Sequence, residues 1–264
     1  MCLLVLAWDT HPQYRLVFAG NRDEFHERPA EALGWWPDTP QILAGRDLQA
    51  GGTWLGLSRA GRFGVVTNYR DLQRPLEGAP SRGALVTRWL TSEQPLRELV
   101  TQLAAEASRY AGFNLLLSDG ESLAYVSNRL PEFSRILPPG VYGLSNHLLD
   151  TPWPKLERTL RRFRSLVSGA ELSIDELLEM LADRQLTPEH LLPDTGLSRD
   201  WELRLSSPFI VDQRYGTRCS TVVLAGRDGQ VRVRERRFDP SGRSTGMDEY
   251  RIPSALRVGH ALPA

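Results

Sequence analysis

This chain of 264 residues has a single lysine, Lys155, although arginine is abundant. Schiff-base and Ser-Lys mechanisms therefore have one candidate at most, and we expect Lys155 at the start of a helix. Cysteine is also scarce, and Cys2 and Cys219 alone do not make a disulfide framework. We expect Cys219 to pack in the core and not to form a disulfide with Cys2.

Metal-binding and nucleotide-binding motifs are lacking as well. The histidines show no paired spacing of the kind that binds zinc on a helix, so we expect no metal site. The glycine-rich run at residues 51–56 has neither the Lys-Ser/Thr ending of a phosphate loop nor the dinucleotide spacing. Residues 143–147 lack the second glycine of a nucleophile elbow. We therefore expect no cofactor.

Neither sign of charge dominates, and long apolar runs are missing. Lys plus Arg and Asp plus Glu both number 32, and this zero net charge argues against a nucleic-acid or anionic-membrane partner. The arginines at residues 232–237 alternate with Val233 and Glu235, which is typical of a strand with one exposed side. No segment is long enough to span a bilayer, and the apolar start lacks a basic region. The sequence thus predicts no stable membrane insertion and a cytoplasmic location.

Cys2 follows Met1 directly and opens an apolar, strand-like run that ends at Trp8. Methionine aminopeptidase removes Met1 when the next side chain is small, and the trimmed chain would begin with a thiol and an α-amine on one residue. An α-amine has an unperturbed pKa of about 8 and can take up the thiol proton. Cys2 is therefore a candidate nucleophile, and the alternative is that it is a small core residue.

Strand patterns come in four pairs, and each pair predicts a hairpin. The paired runs are residues 2–8 with 14–20, 53–58 with 62–67, 113–118 with 122–127, and 219–225 with 231–237. Helical spacing of apolar residues predicts helices over 96–107 and 156–167. A capping box of Ser173 and Glu176 predicts another helix, and Thr187-Pro188 predicts the start of one more.

Several of the predicted strands are apolar at every position, which is typical of strands covered on both faces. Two antiparallel sheets packed on each other, with helices outside each sheet, would cover strands in this way. This arrangement is a four-layer αββα sandwich of the α+β class. An ordinary two-layer α+β domain fits the periodicity equally well.

Polar residues interrupt the apolar strands at their ends. Four of them follow the second strand at residues 21–24, Asn68 follows the fourth strand, Asn146 follows a later apolar segment, and Arg218 precedes the strand that begins at Cys219. Asn and Asp at strand ends usually make turns. Together, however, these residues supply a cation, a carboxylate and two amide donors beside a possible N-terminal thiol.

The string Asn-Arg-Asp-Glu at residues 21–24, after the initial Met-Cys, resembles the signature of the NRDE family, whose animal members are the transport and Golgi organisation proteins. The resemblance continues at residues 51–56, 67–69, 82–87, 112–115, 142–146, 151–153 and 215–218. It implies the N-terminal nucleophile (Ntn) hydrolase fold, an αββα sandwich, as a single domain over residues 1–264. The animal members are associated with haem movement and with lipid or acyl-CoA metabolism.

A more distant resemblance to cysteine Ntn hydrolases, such as bile salt hydrolases and penicillin V acylases, implies a set of catalytic residues. The matching positions are Cys2, Arg22, Asp23, Asn68, Asn146 and Arg218. The resemblance implies Cys2 as the nucleophile and its freed α-amine as the base. It implies Asp23 as the acceptor of a hydrogen bond from the ammonium, and Arg22 or Arg218 as the cation near the thiolate. Asn68 and Asn146 would donate to the oxyanion.

One departure from those hydrolases affects the site. Arg22 and Asp23 are adjacent, and adjacent residues of a strand point to opposite sides. Either a bulge lets both reach the site, or Asn21 or Glu24 takes one of the two roles.

The resemblance implies hydrolysis of a small linear amide or an acyl thioester. The alternative is a non-catalytic carrier or chaperone for haem or for acyl-CoA or lipid, and Cys2 and His147 are then the haem ligands to consider. Five aromatic residues could line an acyl or planar-ligand pocket, or could belong to the core: Trp35, Trp36, Trp54, Tyr69 and Trp89.

Overall fold

The computed structural model describes residues 3–71, 78–169 and 171–253. Its strands are β1 (Leu3–Trp8), β2 (Tyr14–Phe25), β3 (Ala30–Trp35), β4 (Ile42–Asp47), β5 (Leu55–Ser58), β6 (Phe63–Asn68), β7 (Phe113–Ser118), β8 (Leu123–Ser127), β9 (Ser134–Ile136), β10 (Gly140–Leu144), β11 (Tyr215–Gly226), β12 (Val231–Phe238) and β13 (Ser244–Ile252). Its α-helices are α1 (Gly83–Thr91), α2 (Leu96–Glu106), α3 (Pro154–Val167), α4 (Ile174–Leu181) and α5 (Arg199–Arg204).

The strands form two antiparallel sheets. Sheet A has the order β10-β1-β2-β11-β12-β13, and sheet B follows the chain from β3 to β9. In sheet A, Leu4 of β1 lies opposite Gly20 of β2 on one side and opposite Leu144 of β10 on the other. All four predicted hairpins are confirmed, as β1–β2, β5–β6, β7–β8 and β11–β12.

Three apolar clusters fill the spaces between the layers. The first lies between the sheets and contains Leu4 and Leu6 of β1. The second joins sheet B to α1 and α2. The third joins sheet A to α3 and α4, and it contains Leu3 and Val5 of β1. Alternate residues of β1 therefore pack on opposite sides of the sheet. The four-layer αββα sandwich is confirmed, and the two-layer alternative is wrong.

The helices follow the predictions in part. Ser173 caps α4 by accepting a hydrogen bond from the Glu176 N–H at 3.4 Å, and Lys155 lies in the first turn of α3, as predicted. The helix predicted from Thr187-Pro188 is wrong, since the chain makes only a 3₁₀ turn over Glu189–Leu191. The Thr187 hydroxyl donates to the Ser206 carbonyl at 3.2 Å instead of capping a helix. No helix in the described ranges is long and apolar enough to cross a membrane.

A close backbone contact places the start of α1. A Cβ atom added to Gly52 would lie 2.5 Å from the Gly83 carbonyl carbon, and one added to Gly83 would lie 2.9 Å from the Thr53 oxygen. Only glycine allows two backbones to approach this closely. The contact therefore holds the glycine-containing segments at residues 51–56 and 82–87 against each other.

Candidate functional site

The polar end of β2 places Arg22 and Asp23 on one wall of a cavity. Both residues are buried. The Arg22 guanidinium stacks 4.1 Å from the centre of the Trp54 ring, and the Asp23 carboxylate accepts a hydrogen bond from the Thr217 hydroxyl at 2.7 Å. The amide of Asn21 donates to the carbonyls of Leu181 and Pro208 instead, and it thereby ties β2 to the end of α4.

A β-bulge lies beside this wall, in β11 and not in β2. The pairing of β11 with β2 shifts between Thr217 and Cys219, so Arg218 is the extra residue. Beyond the bulge, Cys219 is buried among the residues between the sheets as a free thiol, so its predicted core position is confirmed.

Arg218 binds the backbone of a neighbouring segment. Its guanidinium donates to three backbone carbonyls of the segment after β2, at 2.9 Å to Phe25, 3.2 Å to His26 and 3.1 Å to Arg28. Burial and the nearby charge of Arg22 lower the pKa of Arg218. Arg218 therefore lies beside Arg22 and Asp23, but it does not line the cavities described next.

Two adjoining cavities lie at this end of the sandwich. The first, which we call the polar cavity, has a volume of about 410 Å³, and its lining includes Arg22, Asp23, Glu24, Arg28, Asp47, Trp54 and Ser81. The second, which we call the aromatic cavity, has a volume of about 380 Å³, and its lining includes Phe25, Tyr69, Asn146, Leu197, Trp201, Leu205 and Tyr215. Asn68, Arg82 and Ala111 line both cavities.

The two predicted amide donors lie next to each other where the cavities meet. Asn68 is the exposed last residue of β6, and Asn146 is a buried residue that follows β10. The Nδ2 atom of Asn146 donates to the Asn68 carbonyl at 3.1 Å, and the Asn146 carbonyl accepts from the Arg70 N–H at 2.8 Å. The fold thus brings these two side chains together from distant parts of the sequence.

Charge in the polar cavity is partly compensated. Arg28 lies 2.7 Å from Asp47 and 4.0 Å from Glu24. Burial is the largest single influence on both members of the Arg28–Asp47 pair and opposes their ionisation. Their hydrogen bond and mutual charge attraction, with smaller contributions from neighbouring groups, together outweigh burial, so the pKa of Arg28 is raised and that of Asp47 is lowered. These two groups are therefore charged at neutral pH, and the pair closes one side of the cavity.

The aromatic residues named from the sequence divide between cavity and core. Trp54 lines the polar cavity and Tyr69 the aromatic cavity. Trp36 and Trp89 are buried between sheet B and its helices, and Trp35 packs under the guanidinium of Arg59. Sequence reasoning missed Phe25, Trp201 and Tyr215 as lining residues, because no local pattern separates a lining aromatic from a core one. Arg82 lines both cavities and belongs to the family-like segment at residues 82–87, but no catalytic or binding role was predicted for it.

Both ring nitrogens of His147 are engaged in hydrogen bonds. Nε2 lies 2.9 Å from the Tyr69 hydroxyl, and Nδ1 lies 2.9 Å from the Thr151 hydroxyl. Burial lowers the pKa of His147, so the ring is neutral at pH 7. Within residues 3–71, 78–169 and 171–253, no group of three or more His, Cys, Asp or Glu side chains could hold a metal ion.

Cys2 lies outside the described residues. The described chain begins at Leu3, which pairs with Asn21 in the β1–β2 register. The start of β1 therefore lies at the same end of the sandwich as Arg22, Asp23 and the two cavities.

An αββα sandwich with a polar and an aromatic cavity at the start of its first strand has the architecture that the resemblance to Ntn hydrolases implies. A family model described as "Transport and Golgi organisation 2" matches residues 1–240. The chain belongs to this family, as the resemblance indicated.

Relatives in animals match over nearly the whole chain. The Transport and Golgi organization protein 2 homolog of Bos taurus is 37% identical over 277 residues, which cover 96% of this chain and 100% of the relative. The homolog of Homo sapiens is 36% identical and covers 89% and 92% of the two chains. The Drosophila melanogaster protein is 26% identical, with 95% and 94% covered.

Among solved structures, the chain is similar to two hydrolases. A Caenorhabditis elegans ortholog of N-acylethanolamine-hydrolyzing acid amidase is 9% identical, with a TM-score of 0.44, and the match covers 84% of this chain and 92% of that one. A variant of conjugated bile acid hydrolase from Clostridium perfringens is 10% identical, with a TM-score of 0.47, and the match covers 98% and 100%.

Proposed function

We propose that this chain is a cysteine Ntn hydrolase that cleaves a linear amide or an acyl thioester, with Cys2 as its nucleophile. The observation that carries this proposal is the convergence of Arg22, Asp23, Asn68 and Asn146 on two adjoining cavities. Cys2 directly precedes Leu3, and β1 begins at the same end of the sandwich. This position supports a nucleophile beside the polar cavity.

The first step of the proposed reaction acylates the thiol. After Met1 is removed, the α-amine of Cys2 takes the thiol proton while the sulfur attacks the substrate carbonyl carbon. A C–S bond forms and the carbonyl oxygen becomes an oxyanion. Asn146 uses one amide hydrogen on the Asn68 carbonyl. Its other amide hydrogen and the Asn68 amide have no acceptor among the described residues, and we propose these as the donors. One such donor is typically worth about 10²–10³ in turnover.

The second step releases the products. The C–N bond of the amide, or the C–S bond of the thioester, breaks, and the leaving group takes the proton from the ammonium of Cys2. Water then hydrolyses the acylated Cys2, with the α-amine again as the base. Asp23 would orient the ammonium, and Arg22, held over the Trp54 ring, supplies a fixed positive charge that favours the thiolate.

The two cavities support a substrate with two different ends. The aromatic cavity, lined by Phe25, Tyr69 and Trp201, suits an apolar acyl group, and the polar cavity suits a polar leaving group. Asn68 lies where they meet, which is where the scissile carbonyl would be placed. A volume of about 380 Å³ is within the size range of small-molecule sites.

The proposal is tested by intact mass and acyl transfer. Protein from a bacterium with normal aminopeptidase activity is mixed with activated acyl esters and thioesters. We expect a mass without Met1 and one acyl adduct, which Cys2→Ala abolishes. Cys219→Ala, which removes the other, buried thiol, is the matched control and should keep the adduct. Retention of Met1 in folded protein, or an adduct that survives Cys2→Ala, would contradict the proposal.

The alternative function, a carrier or chaperone, is favoured by one observation, the group of aromatic side chains in the lining of the aromatic cavity. An acyl chain of an acyl-CoA or lipid could be held there without turnover. Haem would need an axial ligand, and the hydrogen bonds on both nitrogens of His147 leave Cys2 as the ligand to test. A Soret shift with haemin that is lost in Cys2→Ala and kept in Cys219→Ala would favour a haem carrier. A free thiol suits the cytosol, which stays the predicted location.

A further inference from the structure

Helix α5 forms one wall of the aromatic cavity. Trp201 and Leu205 line the cavity, and Leu197 lines it from the turn before the helix. Glu202, in the same helix, is only 2% exposed and does not line the cavity. A buried carboxylate is costly unless it is paired and hydrogen-bonded. The partners of Glu202 therefore indicate what this residue does for the site.

Glu202 is bound on several sides. Its carboxylate accepts a hydrogen bond from the Thr195 N–H at 3.0 Å, another from the Thr195 hydroxyl, and a charged one from the Arg70 guanidinium at 3.0 Å. The side chain of Arg70 is 12% exposed, so water screens this ion pair little. At the end of α5, the buried Lys155 ammonium donates to the Leu205 carbonyl at 2.8 Å.

Arg70 connects this cluster to the predicted oxyanion donor. Its backbone N–H donates to the Asn146 carbonyl at 2.8 Å, and its guanidinium lies 5.2 Å from the centre of the Trp153 ring. Arg70 also follows Asn68 by two residues. A continuous series of contacts therefore runs from the Trp201 wall through Glu202 and Arg70 to Asn146.

We propose that Glu202 is a positioning residue that holds the Trp201 wall of the aromatic cavity and the Asn146 amide in one fixed arrangement through its ion pair with Arg70. The substrate would have an apolar acyl group, because the wall that Glu202 fixes is apolar. This inference rests on the proposed function for its effect on the reaction, but the contacts that carry it are independent of Cys2.

Local amide hydrogen exchange tests the positioning itself. Glu202→Asp keeps the charge but shortens the side chain, and Glu202→Gln keeps the length but removes the charge. The matched control is Asp200→Asn, which likewise converts a carboxylate of the same helix to an amide, but at an exposed position. We expect both Glu202 variants to speed exchange over residues 195–205 and at Arg70, and the control to leave exchange at Arg70 unchanged. Unchanged exchange at Arg70 in a folded Glu202→Asp protein would overturn the proposal.

Acylation of Cys2 by short-chain and long-chain thioesters tests the effect on the reaction. We expect Glu202→Asp to lower kcat for both chain lengths, by up to about 10²-fold if Asn146 is displaced by 1 Å, and to raise KM for the long chain only. The control Asp200→Asn should leave kcat and KM unchanged for both chain lengths. Wild-type kinetics in Glu202→Asp would contradict the proposal. If the wild-type protein itself is not acylated, the proposed function fails, and the exchange measurement still decides the role of Glu202.

Discussion

Asn146 is held from both ends, because its side chain donates to the Asn68 carbonyl and its own carbonyl accepts from Arg70. A donor fixed before the reaction stabilises an oxyanion without reorganisation. We expect Asn146→Ala to lower the acylation rate constant by about 10²–10³ with little change in substrate binding. Stopped-flow measurement of Cys2 acylation checks this expectation.

Asn128 provides the control for that variant. Its amide also bonds backbone carbonyls, those of Ala107 and Tyr110, but it does not line either cavity. Asn128→Ala should reduce stability and leave the acylation rate constant unchanged. An unchanged rate constant in Asn146→Ala would remove that residue from the proposed mechanism.

Arg22 and Arg218 differ in a way that only the structure reveals. Arg22 lines the polar cavity, whereas Arg218 is bonded to three carbonyls outside it. A cation near a thiol lowers the thiol pKa. We therefore expect Arg22→Gln to move the midpoint of the pH dependence of Cys2 acylation to higher pH. Arg218→Gln should lower thermal stability and leave the midpoint in place. Equal shifts in both variants would show that the two arginines share the role.

Residue types at this site were predictable, but the direction of each side chain was not. Alternation along a strand predicts Arg22 and Asp23 on opposite sides, yet both line the polar cavity. The sequence leaves open a bulge that would bring them together. The bulge is in the partner strand, at Arg218. A single extra residue has no compositional signature, so its place becomes known only when the two strands are paired.

Elements with strong local signals were predicted, and elements with weak ones were not. Each of the four hairpins consists of two apolar runs joined by a short turn, and this pattern can be read from neighbouring residues alone. Strand β13 is largely exposed, so its side chains follow no strong apolar period. Helix α1 begins after Arg82 without a side-chain cap, so no start signal marked it. The missed elements depend on packing against sheets that only the whole chain assembles.

The contact of Gly52 with Gly83 gives a prediction at the level of elements. A methyl group at Gly52 would lie 2.5 Å from the Gly83 carbonyl carbon, so α1 or the loop before β5 must move. Overpacking of this kind costs about 1–3 kcal/mol. We expect Gly52→Ala to lower the free energy of unfolding by that amount, as measured by urea unfolding. Gly34→Ala is the matched control, because a methyl group there meets nothing closer than 3.8 Å. Equal stabilities of the two variants would contradict the contact.

Glu235 links the two halves of the molecule. It lies in β12 of sheet A, yet its carboxylate accepts a hydrogen bond from the Leu33 N–H of β3, in sheet B, at 3.1 Å. It also accepts one from the Thr221 hydroxyl at 3.0 Å. The arginines that alternate with it lie on the other side of β12, where Arg234 and Arg236 pair with acidic residues of α4. The alternation was predicted from the sequence, but the partner of Glu235 in the other sheet was not, because sheet packing has no local signal.

The pH dependence of stability should report on Glu235. Burial raises its pKa, although hydrogen bonds from Cys219, Thr221 and Leu33 oppose this shift. A carboxyl group whose pKa is raised in the folded state stabilises the fold fully when the pH is below its unfolded-state pKa, about 4.3. This stabilisation is lost as the pH rises through the folded-state pKa. We therefore expect the free energy of unfolding of the wild type to fall across this window relative to that of Glu235→Gln, as measured by urea unfolding from pH 4 upward.

Glu249, on the neighbouring strand β13, is the control of opposite sign. Burial opposes its ionisation, but hydrogen bonds from Arg234 and Arg232 lower its pKa. Its contribution to stability is therefore present above the unfolded pKa and lost as the pH falls through the folded value. As the pH rises, the free energy of unfolding of the wild type should therefore increase relative to that of Glu249→Gln, whereas it should decrease relative to that of Glu235→Gln. If wild type and Glu235→Gln have the same pH slope, the carboxyl group between the sheets does not titrate as its burial requires.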